Sequence, residues 1–278
     1  HYARAEEINQ RSLNWVDSLV ENKPFFLWNH YMDTHGPYDP PDEYATLYAK
    51  EGLSGRDTQS LYQRAIDEPE SITEEERDLL IDLYDAEIRY NDERIGEFLS
   101  ELRERELLEE SLLVVTADHG DAFGEHGYYE HPRYLHDEIT HVPLFVRPPG
   151  GVTKVVGSPV STLDIVPTVE QSVGRNPNVS LLEEIIDDRH IYSQARGENE
   201  YDHLRRYAVR SSEGVCFCER DTEAGVVDFM NESDRSLRSK LEVHVNERVR
   251  VEKGDENREN KEVNEEIERR LSALGYTE

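Results

Sequence analysis

Four histidines lie among carboxylates in one short stretch of the chain. Residues 114–138 read VVTADHGDAFGEHGYYEHPRYLHDE, and their histidines are His119, His126, His131 and His136. Asp118 and His119 directly follow an apolar run that predicts a strand covered on both faces. Carboxylate oxygen with imidazole nitrogen suits a divalent cation, and Gly120 lets the backbone approach closely. Two ligands do not make a site, and from these two residues alone a capping Asp beside a surface His is the favoured interpretation.

Two further side chains of this stretch could act on an anionic group. His131 and Arg133, in EHPRY, could bind an anion or protonate a leaving group. A lone histidine is more often a surface residue than a catalyst. The intervening GEHG, residues 124–127, predicts a tight turn that is as consistent with solvated side chains as with a direct contact.

A second polar loop contains His35. The run from Pro24 to Tyr31 predicts a buried strand, and the proline-rich segment after it includes Asp33 and His35. If the strands before His35 and His119 are parallel neighbours, their carboxyl ends bring the two histidines together. A purely structural loop explains the prolines but leaves the polar side chains without a role.

The elements that would hold these loops alternate between helix and strand. Helical periodicity covers residues 4–20, and a second helix is predicted from Thr73 to about residue 108, with Thr73 and Glu76 forming a capping box. Residues 112–116 and 141–146 predict strands, and a helix follows near Ser161 or Asp164. The alternation over residues 24–174 predicts an α/β sheet.

The character of the sequence changes after about residue 187. Four short β-like segments predict a small antiparallel sheet, and a charged tail from about residue 236 ends in a predicted helix, VNEEIERRLSALGY. Cys216 and Cys218 share one face of a predicted strand and are poorly placed to bridge each other. We therefore divide the chain into an α/β core, residues 1–186, and a C-terminal part, residues 187–278.

Acidic residues dominate the composition. Asp and Glu number 61 against 31 Lys and Arg, which gives a net charge of −30. This charge argues against nucleic acid or an anionic membrane as partners, and it suggests a halophilic surface adapted to high salt. The sequence contains no stretch of about 18 apolar residues, so no transmembrane helix is predicted, and no signal peptide is visible. With only two cysteines, these features predict a cytoplasmic location.

Six segments carry a family resemblance. They are PFFLWNHYMDTHGPYDPPDEY, YDAEIRYNDERIGEFLSEL, LLVVTADHGDAFGEHG, ITHVPLFVRPPG, STLDIVPTV and RLSALGY. In this order they resemble the C-terminal two-thirds of a sulfatase, in the alkaline phosphatase superfamily. The resemblance implies an α/β fold with a mixed or parallel sheet flanked by helices, then a small antiparallel sheet and a terminal helix.

The resemblance also implies roles for single residues. Asp118 and His119 match the metal-binding pair of the family, and His35 matches the histidine that contacts the sulfate or the leaving-group oxygen. His131 takes the place nearest to a family lysine, with Arg133 as the other candidate. The cation implied is Ca²⁺, with Mn²⁺ or Zn²⁺ as alternatives. The implied reaction is hydrolysis of a sulfate ester of a small molecule or glycan.

The sequence departs from the family pattern in one large respect. Sulfatases open with a strand carrying paired aspartates and then Cys-x-Pro-x-Arg or Ser-x-Pro-x-Arg, whose Cys or Ser becomes the formylglycine nucleophile. The printed sequence contains neither, and VCFCER lacks the proline. The expectation is a sulfatase lacking its N-terminal portion. The alternatives are a phosphodiesterase or phosphonate hydrolase of the same superfamily, and a non-catalytic remnant or binding module.

Overall fold

A computed structural model describes most of the chain in two units. The described residues are 2–19, 23–48, 55–151, 154–183, 189–230 and 235–255. Contacts divide the chain into His1–Ile185 and Ile186–Glu278. Within the described ranges, no helix combines the length and the apolar character needed to cross a membrane.

The first unit is mainly helical. Its α-helices are α1 Ala5–Asp17, α2 Asp42–Tyr48, α3 Gly55–Asp67, α4 Glu74–Glu104, α5 Asp137–Thr140 and α6 Ile165–Ser172. The long helix α4 begins with the predicted capping box, in which the Glu76 N–H donates to Thr73 Oγ1 at 3.3 Å and the Thr73 N–H donates to the Glu76 carboxylate at 3.1 Å. One face of α4 buries apolar residues that include Leu80, Leu83 and Phe98. The local sequence therefore fixes where this helix starts and which face it buries.

Short strands hold the polar loops of the first unit. They are β1 Leu113–Thr116, β2 Ala122–Phe123, β3 Tyr129–Glu130 and β4 Leu144–Arg147. β1 pairs with β4 and β2 pairs with β3, both antiparallel. The strand predicted over residues 141–146 begins only at Leu144, after Pro143, which has no N–H to donate.

The strand predicted from Pro24 to Tyr31 is wrong. These residues form no strand, and Phe26 and Trp28 are 71% and 75% exposed. An apolar run predicts an extended segment, but a strand also needs a hydrogen-bonded partner, and none of the described strands pairs with this segment. All strand pairing among the described residues is antiparallel. The positions of His35 and His119 are therefore not set by neighbouring parallel strands.

The second unit is the predicted antiparallel sheet with a helix. The strands β5 Ile191–Arg196, β6 Leu204–Ser211, β7 Gly214–Asp221 and β8 Val227–Phe229 pair in that order, and α7 is Arg235–Asp255. Helix α7 contributes Leu237, Leu241 and Val245 to a buried cluster with the sheet. Cys216 and Cys218 lie in this cluster as free thiols. The α/β class with a small C-terminal antiparallel sheet and a terminal helix is therefore confirmed, while the predicted helix at residues 263–276 lies outside the described residues.

An ion pair between the partly exposed Arg4 and the buried Glu87 ties α1 to α4 and to the loop that carries His35. Arg4 Nη1 donates to both carboxylate oxygens of Glu87, at 3.1 and 3.0 Å, and the Asp39 N–H donates to Glu87 Oε1 at 3.1 Å. Arg4 also lies 3.6 Å from Asp33, whose carboxylate accepts from the Ala5 N–H. These contacts join three segments that are far apart in sequence, and they hold the polar loop against the helices.

The burial of Glu87 makes stability depend on pH. Burial raises the pKa of Glu87 from 4.5 to about 7, against the lowering effect of Arg4. The folded state therefore binds the proton more tightly than the unfolded state, and stability falls as the pH rises from about 4.5 to about 7. We expect the free energy of unfolding, measured with urea, to fall between pH 4.5 and pH 8 by about 2–3 kcal/mol more in wild type than in Glu87→Gln. On the same helix, Glu97→Gln is the control because this side chain is 56% exposed. Equal pH dependence in wild type and Glu87→Gln would contradict the assignment.

Candidate metal centre

Three of the histidines singled out in the sequence lie together. The ring centroids of His119 and His131 are 4.2 Å apart, and those of His35 and His131 are 5.3 Å apart. His119 belongs to the loop after β1, His131 directly follows β3, and His35 lies in the loop before α2. His131 therefore lies beside both His119 and His35, and the three side chains come from three loops rather than from the ends of adjacent parallel strands.

A carboxylate that the sequence did not single out completes this group. His119, Asp121 and His131 each offer a ligand atom, and these atoms lie within 4.8 Å of one another. Asp121 stands two residues beyond His119 in the same loop. That spacing was the available signal, but it does not reveal that the side chain turns towards His131. We call His119, Asp121 and His131 the metal-ligand group.

The backbone sets the direction of two of the rings. The Nδ1 atom of His119 lies 3.1 Å from the Gly120 carbonyl oxygen, and that of His35 lies 2.7 Å from the Gly36 carbonyl oxygen. A neutral imidazole that donates from Nδ1 keeps its lone pair on Nε2. Each histidine therefore has one nitrogen held by its own loop and the other available to a ligand.

Gly120 allows this loop to pack closely. Its N–H donates to the Ile139 carbonyl oxygen at 2.9 Å. A Cβ atom at residue 120 would lie 2.2 Å from the carbonyl oxygen of Glu138, so a side chain here forces backbone to move. The close approach predicted for this glycine is confirmed, and what it approaches is the backbone of α5.

Two polar atoms of the metal-ligand group are buried without a hydrogen-bond partner in the part of the chain that the structure describes. They are Asp121 Oδ1 and His131 Nε2. The Glu130 carboxylate is 3.8 Å from His131 Nε2, which is beyond hydrogen-bond distance. Buried polar atoms are normally satisfied, so such an atom calls for a ligand. Two imidazole nitrogens and a carboxylate oxygen fit a divalent cation of the Zn²⁺ or Mn²⁺ type.

Asp118 and Arg133 lie outside the metal-ligand group. Asp118 Oδ1 accepts from the backbone N–H of His119 at 3.1 Å, and Oδ2 is 3.9 Å from His119 Nε2. The Asp118 side chain is 55% exposed. Arg133 is also exposed, two residues after His131. The metal role of Asp118 and the anion-binding role of Arg133 stay predictions.

The remaining two histidines of the stretch form a separate contact. The rings of His126 and His136 stack with centroids 3.8 Å apart, and His126 Nε2 is 3.4 Å from Glu138. His126 lies in the GEHG turn, where Gly124 and Gly127 have positive φ angles of 90° and 79°, and His136 precedes α5. The turn is confirmed, and its histidine provides a matched control for the others.

The sequence comparison gives the family of this α/β protein. A family model described as Sulfatase matches residues 2–174, so the chain belongs to the sulfatase family. Among curated relatives, the chain is 27% identical over 177 residues to the uncharacterized sulfatase YidJ of Escherichia coli (strain K12), covering 59% of this chain and 35% of that protein. It is also 27% identical over 185 residues to an arylsulfatase of Clostridium perfringens, covering 59% and 38%. The chain thus spans little more than a third of these two relatives.

Solved structures share the fold at low sequence identity. One is a protein, BT4656, in complex with its substrate D-glucosamine-2-N,6-O-disulfate, with a TM-score of 0.64, 17% identity, and coverage of 93% of this chain and 71% of that one. Another is the phosphonate monoester hydrolase SpPMH from Silicibacter pomeroyi, with a TM-score of 0.58, 21% identity, and coverage of 90% and 60%. At such identities the likeness concerns the fold alone.

Proposed function

We propose that the chain serves in the metal-dependent hydrolysis of sulfate esters. The observation that carries the proposal is the convergence of His35, His119 and His131 beside buried atoms without hydrogen-bond partners. Membership of the sulfatase family supports sulfate esters as the substrate class. The name of the arylsulfatase relative favours a small aryl ester, and the sulfated sugar bound by one fold neighbour favours a glycan.

Each residue has a role that its position permits. Asp118 and His119 would hold the cation, as the family resemblance implies, and His119 Nε2 is the nitrogen left available by its loop. His35 and His131 would orient the ester oxygens and hold a proton for the leaving-group oxygen. Arg133 is the second candidate to contact the anionic oxygens. A bound cation would stabilise the negative charge that develops on the sulfuryl oxygens.

The donor atoms bear on the choice of cation. Resemblance implies Ca²⁺, which binds six to eight oxygens. The metal-ligand group instead offers two nitrogens and one carboxylate oxygen, which suit Mn²⁺ or Zn²⁺. The assay of the function therefore compares all three ions.

Hydrolysis of an aryl sulfate tests the proposal. In the presence of its cation we expect turnover that falls more than about 100-fold in Asp118→Ala and in His131→Ala, since both the cation and general acid–base assistance contribute at least that much. His126→Ala is the control because its ring stacks on His136 outside the group, and its rate should stay within about twofold.

The competing functions predict different outcomes. Turnover that is unaffected by Asp118→Ala would overturn the site assignment. Faster hydrolysis of an aryl phosphonate or a phosphodiester than of the aryl sulfate would favour the superfamily alternative. Cation-dependent binding of the aryl sulfate without turnover would favour the non-catalytic binding module.

A further inference from the structure

Two buried tyrosines each donate a hydrogen bond to a carboxylate in the segment that carries His119 and His131. Tyr38 is 2% exposed and donates its hydroxyl to Asp121 Oδ2 at 2.8 Å. Tyr62 is 8% exposed and donates to Glu130 Oε1 at 3.2 Å. Their rings pack edge to face with centroids 5.4 Å apart. The two hydroxyls make the same kind of bond, but only one of the two carboxylates belongs to the metal-ligand group.

The surroundings of Tyr38 fix the orientation of Asp121. The Tyr38 ring packs against Tyr84 and Phe123, with centroid distances of 5.3 and 6.0 Å. A tyrosine hydroxyl has one proton to donate, and that of Tyr38 is directed at Asp121 Oδ2. With Oδ2 held by this bond, the carboxylate cannot rotate freely.

The other oxygen of the same carboxylate has no hydrogen-bond partner among the described residues. Asp121 Oδ1 is buried and accepts no hydrogen bond, and it belongs to the side chain that approaches His119 and His131. A carboxylate serving only to anchor Tyr38 has no need to bury its second oxygen unsatisfied, because burial of an unpaired acceptor is unfavourable. A carboxylate that ligates a cation through one oxygen commonly accepts a supporting hydrogen bond on the other.

We propose that Asp121 is a further ligand of the divalent cation and that Tyr38 is the residue that positions it. The inference rests on the proposed function, since that function places a cation at His119, but it concerns residues to which the family resemblance gives no role. The cation would then be shared by the Asp118–His119 pair and the Asp121 carboxylate. His131 stands beside it, able either to ligate or to face the ester.

Calorimetric titration of the 278-residue chain with MnCl₂ and ZnCl₂ tests the proposal. We expect Asp121→Asn to weaken binding by about 100-fold, and Tyr38→Phe by about 10-fold, within the range found when supporting partners of metal ligands are removed. Tyr62→Phe is the matched control because it also removes one buried tyrosine hydroxyl and one hydrogen bond to a carboxylate. Its affinity should stay within about twofold of wild type.

A spectroscopic readout separates positioning from general stability. In the Co²⁺-loaded protein, the visible d–d absorption should change in Tyr38→Phe and remain as in wild type in Tyr62→Phe, because only the first change disturbs a ligand. The thermal melting points of the two metal-free variants should fall by similar amounts, since each loses one buried hydrogen bond. If Tyr38→Phe does not fold, Asp121→Asn alone decides whether the carboxylate is a ligand.

The possible outcomes distinguish this inference from the proposed function. Wild-type affinity in Asp121→Asn overturns the ligand, and identical affinities and spectra in the two tyrosine variants overturn the positioning role. A wild-type chain that binds neither Mn²⁺ nor Zn²⁺ overturns the inference as a whole. Loss of cation binding in Asp121→Asn supports the inference even if no aryl sulfate is hydrolysed, whereas turnover that needs Asp118 but not Asp121 supports the function alone.

Discussion

His119→Ala is expected to abolish tight binding of Mn²⁺ or Zn²⁺. His119 is common to both candidate sets of ligands, since it stands beside Asp118 in sequence and within 4.8 Å of the ligand atoms of Asp121 and His131. Removal of its imidazole therefore leaves no set intact. The affinity should fall more than about 1,000-fold, an order of magnitude beyond the loss caused by removing a residue that only supports a ligand. Calorimetric titration measures it.

His126→Ala provides the control for this loss. His126 lies in the same stretch of sequence and is 46% exposed, and its ring contacts His136 instead of the metal-ligand group. Its affinity for either ion should match that of wild type. An affinity in His119→Ala within threefold of wild type would show that the cation, if bound, is held elsewhere.

Leu241→Ala is expected to destabilise the second unit by about 2–5 kcal/mol, the range for truncating a fully buried leucine. Leu241 is 0% exposed and packs in the cluster that α7 forms with β6 and β7, beside residues such as Tyr207 and Cys216. Alanine removes most of the side chain and leaves a cavity against the sheet. Amide hydrogen exchange of β6 and β7 measures the change, because their protection reports the opening of this unit.

Val243→Ala is the control on the same helix. Val243 is 56% exposed, so its truncation removes little buried area and should change stability by less than about 0.5 kcal/mol. Equal losses of protection in the two variants would contradict the packing of α7 through its Leu241 face.

Elements whose signals are local could be predicted from the sequence. Helix α4 starts at Glu74 because Thr73 and Glu76, three residues apart, satisfy each other, and both residues can be read from the sequence. The segments of β5 to β8 were predicted from short β-like runs separated by turns, and their antiparallel pairing is confirmed. Such features depend on neighbours in the chain, and a single sequence contains that information.

Features that depend on distant partners could not be predicted. The apolar run from Pro24 looked like a strand, but whether it forms one depends on a partner strand elsewhere. The sequence does not single out Asp121 because the orientation of its side chain depends on Tyr38, 83 residues away, and on the packing of that ring. The antiparallel pairing of β1 with β4 likewise reflects the path of the chain between them.

The candidate site falls between these two cases. Strand-end positions and family resemblance single out His35, His119 and His131, and the structure places His131 beside both of the others. Their chemical roles, the role of Asp118 and the identity of the cation stay predictions. The residue types can be read from the sequence, whereas the orientation of the side chains depends on the loops and on the hydrogen bonds from Tyr38 and Tyr62.

The central claim is that this histidine site uses a divalent cation to hydrolyse a sulfate ester. The most direct test is the rate of aryl sulfate hydrolysis by wild type and Asp118→Ala, each freed of metal with a chelator and then supplied with Ca²⁺, Mn²⁺ or Zn²⁺. The account predicts that chelation stops wild-type turnover, that one ion restores it, and that Asp118→Ala stays at least about 100-fold slower with every ion. Turnover that survives chelation, or that Asp118→Ala retains in full, would contradict the account.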